Sequence, residues 1–115
     1  MPHNLRTAEG KGSVKVCDLS GRIDASGTPA LKQDLETMLV QSEVKLVVSL
    51  GNLQSISAGG LNILLDYARQ ARLAKGDVKF CGANPDVARL LDLAGFNRYF
   101  KFYPTEEEAV KAFED

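Results

Sequence analysis

Along the chain the spacing of apolar positions switches repeatedly between 2 and about 3.6 residues, and each switch marks an expected element. The pattern is clearest from Val44 to Leu65. Val44-Lys45-Leu46-Val47-Val48-Ser49-Leu50 is aliphatic and β-branched and reads as a buried strand. Gly51 to Ala58 is polar and reads as a loop, and helical spacing resumes at Leu61. Before this stretch, Leu5 to Glu9 reads as a short edge strand ahead of a Gly10-Lys11-Gly12 turn. Ser13 to Leu19 alternates as a strand with one face on a core, and Gly21-Arg22-Ile23-Asp24 follows as a bend and short extension.

From Ala25 the period becomes helical. Ser26 or Thr28 can cap, Pro29 fits the first turn, and Leu31, Leu35, Met38 and Leu39 form one apolar stripe that ends near Gln41-Ser42. A second helix runs from Gly59 or Gly60 to Ala74. Leu61, Leu64, Leu65, Ala68, Ala71 and Leu73 face inward, Asp66, Arg69, Gln70 and Arg72 face water, and Lys75-Gly76-Asp77 supplies a glycine stop. Val78 to Cys81 is the next strand. Asn84 and Pro85 then open a third helix through Val87, Leu90, Leu91 and Leu93 to a stop at Gly95. Tyr99 to Phe102 reads as an aromatic strand. Pro104-Thr105-Glu106-Glu107-Glu108 begins a last helix packed through Ala109, Val110, Ala112 and Phe113. Strands alternating with helices predict an α/β layer structure with a mostly parallel sheet, whose sites lie beyond the carboxyl ends of strands. The stretch from Gly51 to Ala58 is therefore the place to look.

Ser55 and Ser57 precede the second helix, and Ala58-Gly59-Gly60 leaves little bulk over its first turn. Unpaired backbone N–H groups and the positive end of the helix dipole would face solvent or a partner there. The plainer alternative is that Ser57 is only an N-cap and the glycines only permit the turn.

With 115 residues and no linker-like stretch, the chain suits one domain with one core. Its formal charge of −1 and scattered Lys and Arg give no phosphate-backbone footprint, so nucleic acid is not an expected partner. The N-terminus has no apolar leader pattern, and the longest aliphatic run, Ile63-Leu64-Leu65, is too short to span a bilayer. The expectation is a soluble cytoplasmic protein without direct membrane insertion, a monomer or weak dimer. Cys17 and Cys81 read as buried free thiols. There is no Ser/His/acid set, metal-ligand cluster or phosphate-binding glycine loop; no motif makes His3 catalytic, and Asp18 and Asp24 read as surface carboxylates. Neither an enzyme nor a cofactor is expected. Phe96, Tyr99, Phe100, Phe102 and Tyr103 are expected mostly to close the core beneath the last helix, with some available as a second contact patch.

Four segments in order resemble the STAS domain, the fold of bacterial anti-sigma factor antagonists. Leu19-Ser20-Gly21-Arg22-Ile23-Asp24 is similar to that family's L-x-G-x-hydrophobic-D, and Val44 to Leu50 to its central strand. Ser57-Ala58-Gly59-Gly60-Leu61 stands where D-S-S-G-L is common, and Asn84 to Phe96 matches the late helix. The resemblance implies a STAS-type fold: α/β, a mixed, mostly parallel sheet of four to five strands with about four helices, in a single STAS domain over residues 1–115. It implies binding to an anti-sigma factor with the fold of a GHKL-type serine kinase, which phosphorylates the first Ser of D-S-S-G. A partner surface formed by Asp24, Ser55, Ser57, Ala58, Gly59, Gly60, Leu61 and Asn62 follows. Aligned residue by residue, the family's Asp falls on Ser57 and its phosphoacceptor on Ala58, which has no hydroxyl; Ser57, or Ser55, is the available substitute. Ser49 stands where many members carry an acidic residue. The family also includes subunits of phospholipid-transport complexes that bind an ATPase, an alternative partner class.

Overall fold

The computed structural model describes residues 3–8 and 11–114. Its strands are β1 (His3–Ala8), β2 (Lys11–Ile23), β3 (Lys45–Ile56), β4 (Asp77–Cys81) and β5 (Phe102–Tyr103). They form one sheet in sequential order, with β1 antiparallel to β2 and every other pair parallel. The helices are α1 (Thr28–Val40), α2 (Ala58–Leu73), α3 (Pro85–Leu93) and α4 (Glu106–Lys111). This is the mixed, mostly parallel α/β architecture that the alternating pattern predicts.

The sheet divides the apolar side chains between two layers. Cys17, Leu19, Leu46, Val48, Leu50 and Phe80 pack against Leu31, Leu35 and Met38 of α1, Leu64, Tyr67, Ala68 and Ala71 of α2, and Val87 and Leu91 of α3. Val14, Val16, Val47 and Cys81 pack against Ala109 and Val110 of α4. Because Val47 points one way and its neighbours the other, Leu46-Val47-Val48 in β3 is apolar at every position, as a strand segment covered on both faces must be. Cys17 and Cys81 are buried free thiols in different layers.

Several boundaries differ from the sequence expectation. The central strand does not stop at Leu50. It continues through Gly51-Asn52 to Ile56 because β2 also continues, pairing Ser20 with Asn52, Gly21 with Leu53, Arg22 with Ser55 and Ile23 with Ile56. The expected bend from Gly21 is thus strand, with the positive φ of 63° confined to Gly21. At the N-terminal edge, β1 begins earlier than expected, at His3; Glu9 and Gly10 of the expected turn lie outside the described residues, and Lys11 and Gly12 already belong to β2. Helix α1 has Gly27, not Ser26 or Thr28, at its N-cap, and no side chain caps it. Leu73 does not face inward but is 81% exposed. Its apolar character misled the helical reading, and the inward place on α2 is taken by Tyr67, whose hydroxyl donates to Glu43 O at 2.8 Å. Arg72 is not simply hydrated: it pairs with Asp77 at 2.8 Å and lies over the Phe100 ring.

The aromatic segment also folds differently. Phe96–Arg98 is a 3-10 turn, Phe100 is buried, and only Phe102–Tyr103 is strand. Phe96, Phe100 and Phe102 surround Phe80 in the layer under α1, α2 and α3, edge-on or stacked at 5.1 to 5.8 Å, rather than beneath α4. Tyr103 alone of the group packs with the α4 layer, and Tyr99 is exposed. On that side Arg6 of β1 pairs with both Asp18 of β2 and Glu106 of α4, so Asp18 is an ion-paired anchor rather than a free surface carboxylate. His3 is buried, with its Nε2 2.6 Å from Asp34 of α1.

The end of α2 separates two uses of glycine. Gly76 N–H donates to Ala71 O and Lys75 N–H to Arg72 O, the double closure of a Schellman turn. The left-handed residue is Lys75, at φ 69°, not Gly76. Gly76 is needed for a different reason: a Cβ there would stand 2.5 Å from Val44 Cβ and closer still to Val44 O. Gly76→Ala is therefore expected to cost about 1–3 kcal/mol through forced backbone movement. Lys75→Gly is expected to gain about 1 kcal/mol by removing a left-handed side-chain penalty. Urea unfolding of the two variants checks the opposite signs.

Burial, reinforced by Asp18 and Asp34, pushes the Cys17 thiol from its ordinary 9.0 up to about 12. A folded value above the unfolded one means that the folded chain holds the proton longer. Its stabilising contribution is complete below pH 9.0 and is lost as pH rises toward about 12. Unfolding free energy is expected to fall with pH across that window, by up to about 1.4 kcal/mol per unit for this thiol. Burial, then Glu43, raises the Tyr67 phenol in the same direction. Denaturant titrations at a series of alkaline pH values check the slope, which Cys17→Ala should flatten.

Candidate functional site

The paired ends of β2 and β3 deliver their chains to one corner. Ser57 N–H donates to Ile23 O at 2.8 Å, extending the ladder by one bond beyond Ile56 and fixing Asp24 and Ser57 side by side. Ser57 then leaves the strand with extended backbone (φ −72°, ψ 163°) and caps α2, its Oγ accepting from Gly60 N–H at 3.2 Å. The expected loop from Gly51 to Ala58 is thus strand with a single connecting residue.

The two glycines after the cap do different work. Gly60 is buried, and a Cβ there would lie 2.7 Å from Ile56 Cγ1 and 3.4 Å from Ile23 Cγ2; only hydrogen lets the first turn close on both strand ends. At Gly59 a Cβ would meet only Ser57 Oγ at 3.8 Å and Thr28 Cγ2 at 3.9 Å, ordinary contact distances. Gly59 is exposed and has room for a side chain. Ala58 and Asn62 are exposed, while Ser55, Ser57 and Leu61 are half-buried.

Across the corner, Asp24 is fully exposed. Its Oδ1 accepts from Ser26 N–H at 3.0 Å and from Ser26 Oγ–H at 2.6 Å, and those two bonds hold the carboxyl below the usual carboxylate range. Thr28 Oγ donates to Ala25 O at 3.1 Å, so Ser26 and Thr28 tie the turn to itself instead of capping α1. Of the expected surface residues, Asp24, Ser57, Ala58 and Gly59 are brought together by the Ile23 to Ser57 bond and the Gly59 to Thr28 approach. Gly60 lies beneath them as packing.

Sequence reasoning overlooked Ser26 and Thr28 as parts of this corner, although Asp24-x-Ser26 is the spacing of a side-chain-closed turn. The expected cap of α3 has a second role that the sequence did not show. Asn84 caps that helix by accepting from Val87 N–H at 2.9 Å, and its Nδ2 donates to Leu53 O at 3.3 Å. The exposed part of β3 is thereby flanked by Asn84. Chemically, the corner offers one ionised carboxylate, exposed backbone and a low, small-residue first turn. Among the described residues no group of three or more His, Cys, Asp or Glu is placed to hold a metal ion.

Comparison with known proteins supplies the relatives of this arrangement. The STAS domain family profile matches residues 6–109. A Bordetella bronchiseptica protein described as an anti-sigma factor antagonist, BtrV, is 29% identical over 89% of this chain and 87% of its own. The crystal structure of an anti-sigma factor antagonist from Mycobacterium paratuberculosis is 27% identical, with a TM-score of 0.83 over 98% of this chain and 93% of that one. The fold is also that of SpoIIAA from Bacillus, solved in phosphorylated form, which is 17% identical with a TM-score of 0.78 over 96% of this chain and 98% of that one.

Ser57→Ala is expected to lower stability by about 1 kcal/mol, because Gly60 N–H loses its acceptor. Ser57→Asp is expected to leave stability within a few tenths of a kcal/mol, since Asp caps as well as Ser. Thermal unfolding of both variants checks the pair; equal losses would mean that the hydroxyl matters for something other than capping.

Proposed function

The chain belongs to the STAS domain family, and we propose that it works as a cytoplasmic anti-sigma factor antagonist, a single non-enzymatic binding module. The partner is an anti-sigma factor with a GHKL-type kinase fold. It docks on the corner formed by Asp24, Ser55, Ser57, Ala58, Gly59, Leu61 and Asn62, with Gly60 shaping the turn from below. One observation carries the reading: Ala58 and Gly59, the first two residues of α2, are exposed beside the ionised Asp24, with no bulky side chain over them. A partner can therefore approach the helix start closely. Relatives described as anti-sigma factor antagonists support an antagonist role in preference to a subunit of a phospholipid-transport complex.

In this reading the usual covalent switch is missing at its usual place. SpoIIAA exists in a phosphorylated form, but Ala58, at the position the family resemblance gives to the acceptor, has only a methyl group. Ser57 Oγ is engaged with Gly60 N–H, which disfavours it as a substitute. The module stays binding-competent while its partner hydrolyses or exchanges nucleotide.

The test is titration of the pure protein with each kinase-fold anti-sigma factor encoded in the same genome. One of them is expected to form a complex, and Ala58→Glu, which mimics added charge on the docking face, is expected to weaken it about a hundredfold or more. With ATP, intact-mass measurement is expected to show no added phosphate on the wild type. Failure to bind any such protein overturns the reading, and phosphate that disappears in Ser57→Ala overturns the absence of a switch.

A further inference from the structure

The four large apolar side chains that are most exposed are Val40, Leu73, Leu93 and Tyr99, at 86%, 81%, 77% and 61%. The places of Val40, Leu73 and Tyr99 are not random. Helices α1 and α2 each return from the carboxyl end of one parallel strand to the amino end of the next. Their C-termini therefore share the end of the molecule opposite the Ser57 corner. Val40 and Leu73 are the last residues of these two helices, and Tyr99 follows the 3-10 turn. Arg72 Nη2 donates to Tyr99 O, which joins the end of α2 to that turn. Single exposed leucines are ordinary on protein surfaces; a set of three at one end is not.

The unpaired charge beside Leu73 and Tyr99 is mostly positive. Asp66 is paired with Arg69, and Asp77 with Arg72. Lys75, Arg98 and Lys101 are exposed beside Leu73, Tyr99 and Phe102 without an ion pair among the described residues, and the exposed carboxylates of Glu36 and Asp92 partly offset them. Cations near helix C-termini complement the helix dipole, and that accounts for Arg72 and Lys75. It does not account for Arg98 and Lys101, which lie beyond any α-helix, or for Val40, Leu73 and Tyr99.

We propose that this end of the molecule adsorbs to an anionic lipid surface. Leu73 and Tyr99 enter the headgroup layer, while Lys75, Arg98 and Lys101 meet lipid phosphates. An amphipathic ring beside short aliphatic side chains and long cationic ones is the combination that settles at such an interface. The apolar groups project from the ends of separate elements, which suits a deformable surface better than a shaped protein groove. Among the described residues no helix is long and apolar enough to cross a membrane. Because the Ser57 corner is at the opposite end of α2, an adsorbed molecule presents its docking face to the solvent.

Flotation of the full chain with phosphatidylglycerol-containing vesicles and with pure phosphatidylcholine vesicles tests this. Binding is expected to the first and not to the second, and to weaken as salt is raised. The triple change Lys75→Glu, Arg98→Glu, Lys101→Glu is expected to reduce partition about a hundredfold. The double change Leu73→Ser, Tyr99→Ser is expected to reduce it at least tenfold with an unchanged unfolding midpoint. Ala58→Glu is expected to have no effect. Absence of binding to the anionic vesicles, equal binding to the neutral ones, or wild-type partition by the charge-reversed protein overturns the proposal, including the case in which this end serves an acidic protein instead.

Discussion

The feature on which the rest of the molecule depends is the length of the β2 and β3 ladder. Strand β4 accompanies β3 only as far as Ser49, opposite Cys81, whereas β2 stays with it to the Ile23 and Ile56 pair. A two-stranded extension exposed to water on both faces would be marginal. This one is held because Leu53, Ile56 and Ile23 turn into the core shared with the helices, while Arg22, Asn52 and Gln54 remain outside. The extension carries both sides of the corner to the same height, and one further backbone bond locks them together.

That geometry explains why part of the site was legible in the sequence and part was not. Ser57 as a cap, Asn84 with Pro85, and the left-handed stop at Gly95 follow from local chemistry, because a cap needs only its own next three residues. The end of β3 is a different kind of fact. Gly51 and Asn52 look like a turn, and they are strand only because β2 supplies a partner thirty-odd residues earlier in the chain, a tertiary effect that outweighs local preference. Gly76 gives the same lesson in reverse: the residue looks like a left-handed stop, but Val44, in another segment, is what forbids a side chain there. Leu73 was assigned inward by residue type, yet it is the last residue of α2 and is exposed.

Helix α2 is consequently a rigid strut between two unlike ends. Its inward face, Gly60, Leu64, Tyr67, Ala68 and Ala71, is buried throughout and anchored by Tyr67 to Glu43. Movement at one end therefore requires the other layers to yield, and interiors packed at crystalline density do so reluctantly. In the docking proposed above, a partner meeting Ala58 would find a surface already organised, so little of the interaction energy would be lost in ordering it.

The difference between Ser57 and the aspartate that the family resemblance implies at this position has a structural and an electrostatic part. Structurally the two residues are equivalent, since either accepts from the backbone of the first turn. Electrostatically they are not. An aspartate at 57 would place a second formal charge beside Asp24, whose carboxylate is already held in its ionised form by Ser26. With Ser57 the corner keeps a single carboxylate, exposed and therefore well screened beyond about 8–10 Å at physiological salt. In the proposed docking, specific attraction would then come from close contact with the small-residue turn more than from long-range steering. That places the demand on shape at Ala58 and Gly59, the two positions where the fold leaves the helix open to approach.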